Sequence, residues 1–290
     1  MAPAFSLTST GTKPLHDLLG GYLPPNLIPN SELSFTRARI WLQACDKNHA
    51  ECRKHAVKSP YMPKRVLEVH GAPLTLRARL VNNAPPASYA ALSYCWGGDQ
   101  MAKSIKSRVH KYKKDIPLDK LPRTIYDALV VTRGIGLCYL WVDAMCIIQD
   151  DGDDMAEQMG QMFAVYRGAY VTISAATAAT SNEGFLHPRT SFKPLILSAC
   201  LSSNTFGPVL ASPGPRTSLR RSTVPEYPLF TRSWTYQEHQ LSTRLLIYTP
   251  LGLISWCPLS THRDGGNEHP NWQSQNEFAT SPPLILVRPS

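Results

Sequence analysis

The sequence predicts a three-layer α/β fold: a mostly parallel sheet with helices on both faces. Three observations lead there. Short apolar runs recur that are too continuous for half-exposed strands, helical stripes with start and stop signals lie between them, and acids or glycines stand where the runs end. The centre is Tyr139 to Asp151, YLWVDAMCIIQDD, in which Leu140, Trp141, Val142, Ile147 and Ile148 stand in runs. Asp143 interrupts it, and a carboxylate there needs a partner or a ligand because burying it alone is costly. Asp143 is therefore expected at the strand's carboxyl end, facing a crevice.

Composition sets the outer bounds. With 290 residues and 43% apolar content the chain can bury one sizeable core. No segment approaches the roughly 18 uninterrupted apolar residues of a membrane helix, and no basic start followed by an apolar block opens the chain. Neither a membrane span nor a signal peptide is expected. Seven cysteines, odd in number and partly within apolar runs, suit reduced thiols in a cytoplasmic protein. The formal charge of +9 gathers at Lys103 to Lys120 and Arg216 to Arg232, loop-like segments without a finger, RNP or helix-turn-helix signature. These runs read as solvated charge, and nucleic-acid binding is not expected.

In chain order, residues 1–60 form an extension: a Pro-, Gly- and Ser-rich arm, then one helix over Phe35 to His55. On that helix Cys45, His49 and Cys52 fall at i, i+4 and i+7 on one face, a spacing of soft ligands that suits zinc. The run itself lacks a fourth ligand, and the plain reading is a buried helix face. Residues 64–82 alternate as a hairpin turning at Gly71 to Pro73, a lid or flanking ribbon. A short apolar strand, Tyr89 to Gly98, then runs into Trp96, Gly97 and Gly98, where the backbone can turn sharply and a ligand can approach.

Residues 99–120 read as an exposed loop, followed by a helix begun by Pro122, striped by Ile125, Ala128, Leu129 and Thr132, and stopped at Arg133 and Gly134. Strand, helix, strand begins a parallel unit. After the central strand come Asp150, Asp151, Asp153 and Asp154, with Glu157 in capping-box spacing from Asp154. One helix carrying Met155, Met159, Met162, Phe163 and Tyr166 on its core face then closes at Gly168, and a third strand spans Ala169 to Ala176. Thr177 to Tyr227 loses periodicity and reads as a long insertion with one apolar run, Pro194 to Leu201. Thr231 to Thr249 gives a helix, then a strand at Arg244 to Tyr248. Trp234, Glu238 and Leu241 share a helical spacing that puts Glu238 on the apolar face.

Three blocks in this order, YAALSYCWGG, then LPRTIYDAL through YLWVDAMCIIQDD to QMFAVYRGAYVTISA, then RSWTYQEHQLSTRLLIY, resemble the HET (heterokaryon-incompatibility) domain of filamentous fungi. The segments WLQACDKNHAEC and PKRVLEV resemble the sequence that often precedes it. The domain is expected over 61–258, with its motif core at 89–248 and an irregular tail at 259–290. The resemblance implies a cell-death effector of non-self recognition, with an incompatibility-protein partner and a possible homo-oligomer. A more remote similarity to TIR domains implies a flavodoxin-like sheet, and RSWTYQEHQL resembles the TIR segment whose Glu is catalytic in NAD-cleaving members; the matching residue is Glu238.

That similarity makes NAD the candidate substrate, with no cofactor required. Departure of nicotinamide builds positive charge on the ribose, which a carboxylate stabilises. Ser93, Tyr94, Trp96, Gly97, Gly98, Asp143, Trp234 and Gln237 are the candidate substrate-binding residues: Trp96 or Trp234 to stack on a ring, the glycines to admit phosphates. Two other readings stay open. Glu238 can be a structural acid paired with Arg232 or Arg244, and the domain can be a non-catalytic module acting by self-association. Ser93 with His239 lacks the setting of a hydrolase nucleophile.

Overall fold

Four parallel strands lie at the middle of a mixed eight-stranded sheet. A computed structural model describes residues 5–9, 21–23, 26–57, 61–72, 75–191, 195–202, 205–213, 227–264 and 266–268. Its strands are β1 (Phe5–Ser9), β2 (Gly21–Leu23), β3 (Arg65–His70), β4 (Arg77–Asn82), β5 (Tyr89–Ser93), β6 (Tyr139–Trp141), β7 (Val171–Ser174), β8 (Leu195–Ser202), β9 (Thr205–Pro213), β10 (Leu245–Thr249), β11 (Gly252–Cys257), β12 (Ser260–Arg263) and β13 (Gly266–Glu268). The large sheet runs β12-β11-β10-β7-β5-β6-β3-β4, and a second sheet runs β13-β2-β1-β9-β8. In the large sheet β6, β5, β7 and β10 are mutually parallel, while β3–β4 and β11–β12 extend it antiparallel on either side. The α/β class holds, with a mixed rather than mostly parallel sheet.

Continuous apolar runs make strands that need cover on both faces, and β5, β7 and β10 are buried along their whole length. Helix Arg123–Gly134 packs against β3, β5 and β6, and helices Met162–Gly168 and Ser233–Leu241 pack on each other; right-handed crossovers, the rule for such units, would set the first on one face and the other two on the opposite face. Helix Arg123–Gly134 follows Pro122 as expected and buries Ile125, Ala128, Leu129 and Thr132. At its last residue a Cβ would stand 2.5 Å from the Phe35 ring, so Gly134 allows the amino-terminal helix Glu32–Asn48 to cross closely.

Several elements differ from the sequence expectation. The strand from Tyr139 ends at Trp141, because Asp143 opens a short helix, Asp143–Cys146, and leaves Ile147 and Ile148 beyond the sheet. The hairpin forms, with Arg65 opposite Asn82 and His70 opposite Arg77, but it is no flanking ribbon, since β3 pairs with β6 inside the large sheet. The methionine-bearing helix divides at Gln161 into Gly152–Gly160 and Met162–Gly168, which turns Met159 and Phe163 outward, each 55% exposed. Its cap is Asp151, whose side chain accepts from the Asp154 backbone N–H, so the capping-box reading of Asp154 and Glu157 is one turn late. The extension holds two helices, Glu32–Asn48 and Ala50–Val57, and the insertion two strands, β8 and β9. A helix, Lys106–Lys114, forms inside the expected loop. Arm residues 10–20, turn residues 73–74, the basic residues 216–226 and the tail beyond 268 lie outside the described residues.

Asp154 has a different task. Its carboxylate holds the buried Arg65 guanidinium and accepts from Ile148 N at 3.0 Å, while Arg65 Nε donates to Cys146 O at 2.6 Å. Burial alone would raise the Asp154 pKa, but Arg65, the Ile148 amide and Lys64 outweigh it and hold the group below the usual carboxylate range. This pair ties β3 to the loop after β6, and hence fixes the carboxyl end of the central strands. Asp154→Asn leaves Arg65 buried without its counter-charge and is expected to lower unfolding free energy by about 3–5 kcal/mol in urea titrations at pH 7. A depressed carboxyl stabilises above its unfolded pKa and loses that contribution as pH falls through the folded one. The gap between wild type and variant therefore closes on acidification below about pH 4.

Candidate active site

Polar groups converge at the carboxyl ends of the parallel strands. Ser93 ends β5, Asp143 follows β6 by two residues, and Glu238 reaches them from helix Ser233–Leu241. Ser93 Oγ donates to Glu238 Oε2 at 2.5 Å across 145 residues of sequence. Trp96 Nε1 donates to Asp143 Oδ2 at 2.8 Å, and the Ala144 amide donates to Asp143 Oδ1 at 2.6 Å. Arg232 donates to the Tyr94 carbonyl, which sets its positive charge beside both acids.

The two acids sit in unlike surroundings. Burial pushes Glu238 up to about 7; the Asp143 charge adds to the rise, while the Ser93 hydroxyl, Arg232 and Tyr166 oppose it. Asp143 is also raised by burial, but donors from Trp96, Ala144 and Tyr94 favour its ionised form. Two neighbouring carboxyls, both raised by burial, thus have different donors around them. His239 is no base for Ser93: it is fully buried, edge-on to Phe230, and burial drives its pKa down to about 4.

The Trp96-Gly97-Gly98 turn projects beyond β5, with Trp96 half-buried and both glycines exposed. Gly97 has φ +71°, and a Cβ there would stand 2.4 Å from the Thr180 side chain, so the turn packs against the segment after β7 without room for a larger residue. Ser181 N donates to Trp96 O at 3.2 Å and fixes that approach. The segment is anchored in turn by Asp127, which accepts from Phe185 N at 2.9 Å and Leu186 N at 3.1 Å.

Of the sequence candidates, Glu238, Ser93, Trp96 and Asp143 come together, Gly97 and Gly98 form the adjoining turn, and Tyr94 contributes a carbonyl to Arg232 while its hydroxyl exchanges hydrogen bonds with Gln100. Trp234 does not share the buried face with Glu238. The helix buries Thr235 and His239 instead, leaving Trp234 62% exposed and Gln237 exposed. Arg244 is no partner of Glu238 either: it pairs with Asp46 at the amino end of β10. Tyr166 and the Thr180–Ser181 segment were not legible as site residues, since one reads as core and the other lies within an aperiodic stretch.

The metal candidates also meet. Ligand atoms of Cys45, His49, Cys52 and Cys257 all lie within 4.8 Å of one another, the fourth donor coming from β11. This cluster lies at the opposite end of the sheet from Glu238, beside Arg244 and Tyr170, which precede β10 and β7.

A family model described as heterokaryon incompatibility protein (HET) matches residues 89–238. Heterokaryon incompatibility protein 6, OR allele, of Neurospora crassa is 32% identical over 98 residues, covering 31% of this chain and 14% of that protein. The chain thus aligns with a small part of that curated relative. No solved structure matches.

A carboxyl raised in the folded state gives stability that is full below its unfolded pKa and is lost as pH rises through the folded value. Wild type should therefore lose up to about 3 kcal/mol of unfolding free energy between pH 4.5 and pH 8, whereas Glu238→Gln should lack that component in the same urea titrations. Ser93→Ala removes the donor that favours the anion, so the Glu238 carboxyl titration followed by carbon NMR should shift above 7.

Proposed function

Because the chain belongs to the HET family, whose segment covers residues 89–238, we propose that it is a heterokaryon-incompatibility effector that causes cell death by hydrolysing NAD at Glu238. One observation carries the chemistry: Glu238, raised toward neutrality and held by Ser93, stands beside Asp143 at the carboxyl ends of parallel strands. In an open α/β sheet ligands bind there, at the point where the strand order reverses. The parallel strands lie in spatial order second, first, third, fourth by chain position, with β5 and β7 flanking that reversal. That order supports the flavodoxin-like and TIR-like reading of the fold.

In the reaction, the bond between the ribose anomeric carbon and the nicotinamide nitrogen breaks, and its electron pair leaves with neutral nicotinamide. Positive charge grows on the ribose, where ionised Glu238 and Asp143 stabilise it. Water then bonds to the anomeric carbon and its proton passes to Glu238, giving ADP-ribose, nicotinamide and, after release to solvent, a proton. A base whose pKa lies near the working pH suits this transfer. Trp96 offers its half-buried ring to the nicotinamide or adenine, and the exposed Gly97 and Gly98 let the diphosphate approach the backbone.

A second reading, a non-catalytic module acting by self-association, is favoured by Trp234 and Tyr236, 62% and 60% exposed on the helix that carries Glu238.

Purified, concentrated protein is expected to convert NAD to nicotinamide and ADP-ribose, followed by chromatography. Glu238→Gln should reduce the rate by at least about 100-fold while remaining folded. The wild-type rate should rise with pH as Glu238 ionises, with its midpoint near 7. If neither protein cleaves NAD and Trp234→Ala abolishes oligomers seen by light scattering, self-association replaces catalysis as the function.

A further inference from the structure

We propose that Cys45, His49, Cys52 and Cys257 form a structural zinc site that locks the two amino-terminal helices to β11. The inference is independent of the NAD reading, because the four residues lie at the other end of the sheet from Glu238. Cys45 and Cys52 are on the helices Glu32–Asn48 and Ala50–Val57, and His49 sits at the junction between them, where the helical run is interrupted by an extended backbone with φ −111° and ψ 90°. Cys257, the last residue of β11, completes the set from more than 200 positions away, with its Sγ 3.3 Å from His49 Nδ1.

The geometry suits one closed tetrahedral ion. Zinc–sulfur bonds of about 2.3 Å set the sulfur atoms of a tetrahedron roughly 3.8 Å apart. Donor atoms mutually within 4.8 Å can reach that arrangement by small side-chain adjustments. Three thiolates and one imidazole are soft ligands that select zinc over magnesium or calcium, and four protein ligands leave no open position for catalysis. The three cysteines are buried in a cluster separate from the main apolar core, and none is in a disulfide.

The surroundings complete the site as outer-shell groups do around structural zinc. Arg244 Nε donates to Cys45 Sγ at 3.3 Å, and the Ser260 hydroxyl lies 3.2 Å from Cys257 Sγ. Three thiolates around a divalent ion leave one net negative charge, and the buried Arg244 guanidinium faces it while also pairing with Asp46. Asp46, the neighbour of Cys45, holds that guanidinium and accepts from the Tyr170 hydroxyl at 2.6 Å. The ion would thereby connect the amino-terminal helices with the starts of β7 and β10.

Protein purified without chelator should carry about one zinc per chain by plasma mass spectrometry. Its cobalt-substituted form should show the visible bands of a tetrahedral ion and thiolate-to-metal charge transfer. Cys257→Ser and Cys52→Ser should lose the metal and melt at lower temperature, whereas Cys138→Ser, at an exposed cysteine outside the cluster, should keep both. His49→Cys should retain the ion with a shifted cobalt spectrum, which tests ligation even where the serine variants fail to fold. Folded wild type that takes up neither zinc nor cobalt, or whose mass shows Cys45, Cys52 or Cys257 joined in a disulfide, overturns the proposal. So does a cobalt spectrum without thiolate charge transfer.

Discussion

The parallel quartet is buried on both faces, and this constraint decides where polar groups can go. Along β5, β7 and β10 almost every side chain is withdrawn from water, so charges have to collect at the ends of the strands or be neutralised inside. At the carboxyl end the chain places Ser93, Asp143 and Glu238 under Arg232. At the amino end it places Asp46, Arg244 and Tyr170. Between them a neutral polar pair is buried, Thr172 Oγ1 at 2.6 Å from Ser242 Oγ. The sheet thus has two chemically distinct poles, one with the raised carboxyl and the other with the thiols.

The carboxyl pole owes its character to unequal hydrogen bonding rather than to burial alone. Both acids are desolvated, which disfavours both anions. Asp143 gains the Trp96 indole N–H and the Ala144 amide, while Glu238 gains the Ser93 hydroxyl and sits next to the Asp143 charge. The Asp143 charge makes Glu238 harder to ionise. The same pairing explains why Asp143 both organises a loop and belongs to the site: the Trp96 contact that orients the Trp-Gly-Gly turn also holds its charge.

Elements with strong local signals were legible in the sequence. The hairpin, the Pro122 helix and the strand–helix–strand succession follow from alternation, caps and uninterrupted apolar runs. Those signals failed where a single residue redirected the chain. Asp143 turned an apparent long strand into a three-residue strand and a short helix, and the break at Gln161 reversed the exposure of Met159 and Phe163. In the site, Glu238 and Asp143 stood out as acids among apolar residues. The Trp234 face did not hold, because i, i+4 spacing identifies a face without saying which face packs, and Thr235 and His239 took the inner side. Cys257 as a companion of Cys45 was illegible, since contacts across 200 residues leave no local pattern.

The family segment is not a closed structural unit. It ends at Glu238, before β10, yet β10 supplies the fourth parallel strand and covers the edge that β7 would otherwise expose. The amino-terminal helices likewise lie outside it, yet Phe35 packs on Gly134 and Asp46 holds the residue that leads into β10. The position of the Glu238 helix depends on this frame, because it connects directly into β10 through Ser242, Thr243 and Arg244. Arg244 is fixed from below by Asp46 and Cys45, so the helix is held at its carboxyl end by the extension and in its last turns by Ser93. The segments flanking the family motif thereby set the geometry of the carboxyl pole.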